Sequence, residues 1–344
     1  MFIKFLNVLI FFTIFLSASC ARKPEFVFHN KQKILMGTVF EIKVFVDRKK
    51  FPPKRFEKIV QNAFLEIERL EKQMSEWIPD SPVSKISAAA GLRPVRVPEE
   101  SLEVIKTALS VSSETGGAFD ISFKPLGKLW NVKKRKIPPD KEEIKEALRL
   151  IGYENIVLDE KKGTVYLKKK GMSIGLGGIA KGYAAGKAAK VLKEKGIENF
   201  IINAGGDLYF SGSKNGKFWT TGIKNPDGGF FVKLKIKTDC AVATSGNYER
   251  FFIYKGKRYH HIIDARSGYP AYGLKSVTVI SKNPALADAY ATSFFILGYE
   301  KSLDIVRKKK DLAFIMVTEE GNILKSANFE NMAAPLTWVS TGVL

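Results

Sequence analysis

The scarcity of cysteine constrains this chain more than any other feature of its sequence. Of 344 residues only Cys20 and Cys240 are cysteine. Cys20 ends an N-terminal segment laid out like a secretory signal peptide: Lys4, an almost unbroken apolar run from Phe5 to Leu16, then Ser17-Ala18-Ser19. The run is shorter than the roughly 20 residues that span a bilayer. With Cys20 at the processing site no intrachain disulfide is available, so an exported chain of this kind must be held by its hydrophobic core. About 320 residues of ordinary apolar content can supply one, as one large domain or two fused lobes. Cys240, in the apolar Cys240-Ala241-Val242-Ala243, reads as a small buried hydrophobe and not as a nucleophile.

A cysteine directly after small residues resembles the bacterial lipobox, although Leu16 lies one place too far from it. Residues 1–19 are accordingly expected to be a signal peptide, 20–33 a polar linker lipidated at Cys20, and 34–344 the folded part. The expected location is the cell envelope, on the periplasmic or extracytoplasmic side, with the membrane as partner through the lipid. A secreted or signal-anchored chain is the alternative. Net charge is +21 and the pI about 9.7. The lysines are scattered, whereas a nucleic-acid binder concentrates charge on one element. Export and this scatter exclude nucleic acid and favour attraction to anionic lipid or a phosphate-bearing ligand.

Alternation over residues 39–46 predicts a strand. Phe56, Ile59, Val60, Ala63, Phe64, Ile67 and Leu70 form one stripe of a helix over Lys54–Met74. Further helices are predicted over 99–115, from Pro138 onward, and over 179–195, 284–297 and 301–309. A hairpin is expected at 155–168, and strands at 200–203, 208–211, 218–223, 230–236, 251–254, 260–263, 275–281 and 312–317. The fold class is therefore α+β, with a largely antiparallel sheet core and layered helices.

Several segments carry more than a core requires. Gly175-Leu176-Gly177-Gly178-Ile179-Ala180-Lys181-Gly182 joins a strand to a helix, where free N–H groups can meet phosphates. It fits G-x-G-x-x-A, but Glu194 and Glu198 fall outside the strand end where a dinucleotide fold needs its acid. Asp288 and Thr292 are four apart on one helix face, suiting a hard cation such as Mg²⁺. His260 and His261 are adjacent on a predicted strand, so one can face a site and the other solvent. Thr115–Asp120 and Asn203–Asp207 each put glycines beside an aspartate. Each segment also has a plainer account: a tight turn, a polar helix stripe, a structural histidine, ordinary turn chemistry.

Taken in order, eight segments resemble the ApbE family of FAD:protein FMN transferases: Met36-Gly37-Thr38, Met74-Ser75-Glu76-Trp77, Thr115–Asp120, Gly177–Tyr183, Gly205-Gly206-Asp207, Ala243–Tyr248, His261–Pro270 and Ala287–Thr292. They extend from Met36 to Gly298. The resemblance implies a T-fold-related, two-lobed single unit. It implies FAD as substrate, held by Met36, Trp77, Ala118, Phe119, Asp120, Gly175, Lys181 and Ile263, and Mg²⁺ held by the Gly178 carbonyl, Asp288 and Thr292. His261, with Asp264 and Lys181, would serve catalysis. The implied reaction is attack by a Thr or Ser hydroxyl of an acceptor protein on the FMN-side phosphorus, with AMP leaving. Acceptors would be subunits of envelope electron-transfer complexes or exported flavoproteins. Gly175 and Gly186 stand where the family usually has Asp, Ser87 where it has Asn, and Ala265 where it has Pro. An FAD hydrolase releasing FMN and AMP is the competing expectation. A nicotinamide-dependent oxidoreductase is opposed by export and by the missing strand-end acid.

Overall fold

The computed structural model of the chain describes residues 25–225 and 229–338; the signal segment and Cys20 lie outside them. Its first element corrects the linker expectation. Strand β1 (Phe26–Leu35) pairs antiparallel along its whole length with β2 (Thr38–Asp47). β1 is an edge strand with much of its length exposed, so it lacks the apolar alternation by which buried strands are found. Helix α1 (Pro53–Met74) buries the predicted stripe. There follow α2 (Pro82–Ala88), β3 (Val95–Arg96), α3 (Glu99–Glu114) and α4 (Lys124–Trp130). The helix expected from Pro138 is α5 (Lys141–Leu148), started by a capping box between Asp140 and Glu143. The hairpin is β4 (Ile156–Asp159) and β5 (Thr164–Leu167).

Helix α6 (Ala180–Glu194) leads into β6 (Phe200–Ala204), β7 (Asp207–Ser211), β8 (Thr220–Lys224), β9 (Phe230–Ile236) and β10 (Cys240–Gly246). β10 was not expected: Ala243-Thr244-Ser245-Gly246 is small and polar, with weak intrinsic strand preference. Its pairing with β7 and with β13 below imposes the strand. β11 (Phe251–Tyr254) and β12 (Lys257–His260) form a hairpin, so the strand predicted over 260–263 ends where it was expected to begin. β13 (Leu274–Ser281), α7 (Pro284–Val306), β14 (Leu312–Thr318), β15 (Ile323–Lys325), α8 (Phe329–Met332) and β16 (Ala333–Trp338) complete the order. The two helices predicted after Pro284 run end to end as α7, broken at Gly298, whose φ is 75°.

Eight strands form one sheet in the order β1-β2-β6-β7-β10-β13-β14-β15, every neighbouring pair antiparallel. Both faces are covered. Along β14, Leu312, Phe314 and Met316 join the cluster under α1, α6 and α7, while Ala313, Ile315 and Val317 face the small sheet β16-β9-β8. Each fully buried Leu or Phe contributes about 1.5–3 kcal/mol. Cys240 is among these core residues, and burial pushes its thiol up to about 12, as expected of a packing residue.

Two turns and the ends of β7 and β10 converge at one end of the large sheet. Met36-Gly37 joins β1 to β2, and Gly205-Gly206 joins β6 to β7. The Gly205 amide donates to Val39 O at 3.0 Å, with Thr38 packed against its α-carbon. Asp207 opens β7 beside them. Thr244 and Ser245 of β10 lie alongside, the Thr244 amide donating to Asp207 Oδ1 at 3.3 Å.

Candidate active site

The N-terminus of α6 meets the N-terminal half of α7 at this end of the sheet. The approach is close because α6 is built of small residues there. A Cβ at Gly182 would lie 2.7 Å from the Pro284 carbonyl carbon and 3.0 Å from Asp288 Cβ, and one at Gly186 would lie 2.9 Å from Pro284 Cγ. Gly186, one of the departures from the family pattern, thus makes room for the first turn of α7. Asn283 caps that turn through Ala285 and Leu286.

The contact brings charge together. Lys181 Nζ donates to Asp288 Oδ1 and Oδ2 at 3.2 and 3.1 Å, pairs with Asp207 Oδ2 at 3.2 Å, and donates to Gly177 O at 3.2 Å. The Gly182 amide donates to Asp288 Oδ2 at 3.2 Å. Burial opposes the charge on Lys181, but the two carboxylates overcome it and raise its pKa. Asp207 goes the other way: burial, against the pull of Lys181, pushes it up to about 6, and the Asp288 charge adds to the rise. One ammonium thus faces two carboxylates, an arrangement with capacity for another positive charge. Asp207, which the sequence presents as turn chemistry and as part of a family segment without a site role, completes this cluster. The signal was available: a Gly-Gly-Asp turn follows the strand that follows the glycine-rich helix start.

Thr292 lies one turn further along α7, its hydroxyl 3.3 Å from Ser245 Oγ. A Cβ at Gly178 would lie 3.9 Å from Thr292 Oγ1, so the Gly178 backbone, Thr292 and Asp288 adjoin one another. A carbonyl, a hydroxyl and a carboxylate are hard oxygen donors of the kind Mg²⁺ accepts, and this donor set fits it. Among the described residues there is no cluster of three or more His, Cys, Asp or Glu side chains of the kind softer transition metals use.

Of the residues implied to hold FAD, Phe119 packs on Gly178 and Trp77 is 79% exposed with the Lys124 ammonium 5.7 Å above its ring. Met36, at φ 51°, is fixed through its amide, which donates to Glu71 Oε1 at 2.7 Å. Gly175 N–H donates to Ile121 O, so the glycine-rich turn runs beside the Ala118-Phe119-Asp120 segment. Ala118 and Ile263 are buried, Ile263 in a small cluster around Trp130. Asp120 is engaged within the protein: its carboxylate accepts from the Ser122 amide and hydroxyl and from the Tyr153 amide at 2.7–2.8 Å, holding the loop. Ser87 replaces the family's usual Asn and still serves the turn, accepting from the Ile174 amide at 3.2 Å.

The histidine pair divides differently from expectation. His260 does not face solvent; it is 2% exposed, edge-on to Phe295 and Tyr272. Its Nε2 bonds Ala271 O at 2.6 Å and its Nδ1 accepts from the Ile262 amide at 3.2 Å, which requires the neutral ring. Burial lowers its pKa to about 4. His261 is half-buried and also lowered to about 4, by burial first and then by cations including Arg250 and Lys181. Its Nδ1 lies 3.3 Å from Arg250 O, which places the proton there and leaves Nε2 as a free acceptor. Asp264 is held bidentately by Arg266 at 2.8 Å and shapes the loop ahead of Pro270, so it has no direct bond to His261.

Comparisons with known proteins give the family and the fold. The model of the ApbE family matches residues 36–316. An FAD:protein FMN transferase of Klebsiella pneumoniae is 34% identical over 90% of this chain and 95% of its own length. One from Treponema pallidum is 31% identical over 90% of each. Among solved structures, the ApbE protein from Thermotoga maritima superposes with a TM-score of 0.79 at 34% identity, covering 89% of this chain and 99% of its own. The flavin transferase ApbE from Vibrio cholerae gives 0.79 at 27% identity, covering 90% and 99%.

Proposed function

The chain belongs to the ApbE family, and from that premise we propose that it moves the FMN half of FAD onto a Thr or Ser hydroxyl of an acceptor protein, with AMP leaving. It is an enzyme, a flavin transferase with FAD as donor. The observation that carries the finer reading is the Lys181–Asp207–Asp288 cluster beneath the Gly177-Gly178 turn. Phosphoryl transfer needs little covalent help from a protein; it needs charge placed against the pyrophosphate and a nucleophile held in line. Lys181 supplies a fixed cation at the start of α6, where backbone N–H groups also point outward.

The Gly178 carbonyl, Asp288 and Thr292 would hold Mg²⁺, which when bound neutralises charge on the phosphate oxygens. Asp207 would hold Lys181 in place beside it. The ring of His261, neutral at physiological pH with Nε2 open, is suited to take the proton of the attacking hydroxyl. Lipidation at Cys20 and a place in the cell envelope belong to the same proposal, supported by the signal-like N-terminus, as do acceptors drawn from membrane electron-transfer complexes.

The test is an incubation of the protein with FAD, Mg²⁺ and a Thr-bearing acceptor domain, read by in-gel flavin fluorescence and an FMN mass shift. Covalent FMN that disappears with EDTA supports transferase, donor and metal together. FMN and AMP released with every tested acceptor unlabelled would replace the transferase with a hydrolase.

A further inference from the structure

The Lys181 cluster does not use one half-buried carboxylate beside the same turn. Glu76 follows α1, and its side chain fills the space next to the α-carbon of Gly175: a Cβ there would lie 2.7 Å from Glu76 Oε2 and 3.0 Å from Oε1. The carboxylate is also within reach of the Leu176 amide and near the ammonium groups of Lys124 and Lys128. Lys124 Nζ donates to the Glu76 carbonyl at 3.0 Å and lies over the Trp77 ring, so the 76–77 backbone is pinned. Burial raises the pKa of Glu76 despite the two lysines. A carboxylate held in a disfavoured environment between an exposed indole and a glycine turn is a candidate for binding a ligand.

We propose that Glu76 is a flavin-positioning residue, its carboxylate accepting the hydrogen bond of the imide N–H of the isoalloxazine ring. The inference rests on FAD being the donor. The imide edge presents carbonyl, N–H, carbonyl in a row, and the structure offers Glu76 as acceptor beside the donor Lys124 Nζ, the Leu176 N–H holding the Glu76 carboxylate in place. Trp77 supplies a flat apolar face, and Phe119 lies on the far side of the turn against Gly178. Position 175 carries no side chain, and the Glu76 carboxylate occupies the space one would fill.

The test measures FAD and ADP affinity of the full chain by fluorescence titration, together with KM and kcat for FMN transfer. Losing a hydrogen bond to a charged group weakens binding by about 10-fold or more. Glu76→Ala should weaken FAD by that factor, appear in KM more than in kcat, and leave ADP, which lacks the flavin, unaffected. Glu76→Gln, which keeps an acceptor oxygen, should recover part of the loss. Glu76→Ala combined with Gly175→Asp should recover most of it by returning a carboxylate from the other segment. Equal weakening of FAD and ADP would overturn the proposal in favour of a role in holding the turn, and so would unchanged FAD affinity. A wild-type chain that does not bind FAD would overturn the donor reading itself.

Discussion

Replacing Gly182 with alanine opposes two effects whose sizes can be compared. Alanine in place of glycine within a helix gains up to about 1 kcal/mol of intrinsic preference. Against this, the new methyl would stand 2.7 Å from the Pro284 carbonyl carbon and 3.0 Å from Asp288 Cβ. Carbon atoms in contact prefer roughly 3.5–4.0 Å, so the contact with the Pro284 carbonyl carbon alone parts α6 and the start of α7 by about 0.8–1.3 Å, and the Pro284 carbonyl oxygen stands nearer still. Neither obstacle is a flexible chain end: one is backbone in the first turn of α7, the other the root of the Asp288 side chain. Overpacking of this kind costs about 1–3 kcal/mol, so the clash outweighs the propensity gain. At about 2–4 °C per kcal/mol for a large domain, Tm should fall by a few degrees. The rate should fall further. The Gly182 amide reaches Asp288 at 3.2 Å and Lys181 reaches it at 3.1 Å, so the separation would break the first bond and shift the second. A displacement near 1 Å at a reacting centre can cost about 10²-fold. Gly186→Ala is the control, because its methyl meets only the ring of Pro284, at 2.9 Å, and no charged group. Initial rates of acceptor labelling and thermal unfolding would be measured for both. Wild-type rate and Tm in Gly182→Ala would refute the reasoning, as would equal rate losses in the two variants.

Asp288→Ala should abolish Mg²⁺-dependent transfer while the far-ultraviolet circular dichroism spectrum stays native; full turnover in that variant would remove Asp288 from the metal site. Lys181→Met leaves two carboxylates facing each other and should destabilise the protein by about 3–5 kcal/mol, with Mg²⁺ recovering more of Tm in the variant than in wild type. A Tm unmoved by the substitution would contradict the charge cluster. His261→Ala should lower kcat by about 10²- to 10⁴-fold with little change in FAD affinity; the reverse pattern would make His261 a binding residue. His260, with its folded pKa lowered from 6.5 to about 4, binds its proton more readily in the unfolded state, so its contribution is fully present above pH 6.5 and lost as pH falls toward 4. The stability gap between wild type and His260→Gln in urea titrations should therefore shrink by about 3 kcal/mol across that window, and a constant gap would refute the buried neutral ring.

Legibility in the sequence followed burial. The stripe of α1, the alternation of β2 and the continuous apolar run of β14 could be read because each buries apolar side chains in a regular pattern. β1 and β10 could not: the first is a polar edge strand, the second a run of small residues whose pairing partners hold it in the sheet. Local spacing gave the Asp288–Thr292 pair and the glycine-rich turn with Gly178 and Lys181 separately, the family resemblance joined them, and the structure brings all four to one place. Asp207 was missed as a member because its role depends on a turn meeting a helix 26 residues back in the chain, at Lys181. The opposite failure was His260: strand alternation left one histidine of the pair to solvent, although a carbonyl and an amide satisfy His260 in the core.

Strand β1 also sets a distance. Its ten residues, at about 3.3 Å each, separate Phe26 from the Met36 turn by about 30 Å, and that turn belongs to the end of the sheet where Asp207 meets Lys181. Six residue steps join Cys20 to Phe26, a maximum reach of about 20 Å. Under the proposed lipidation, the lipid on Cys20 would lie within that reach of Phe26, the end of β1 away from the active site. A protein so anchored would patrol a layer only some tens of ångströms deep, and acceptors sharing its membrane would meet it by lateral diffusion.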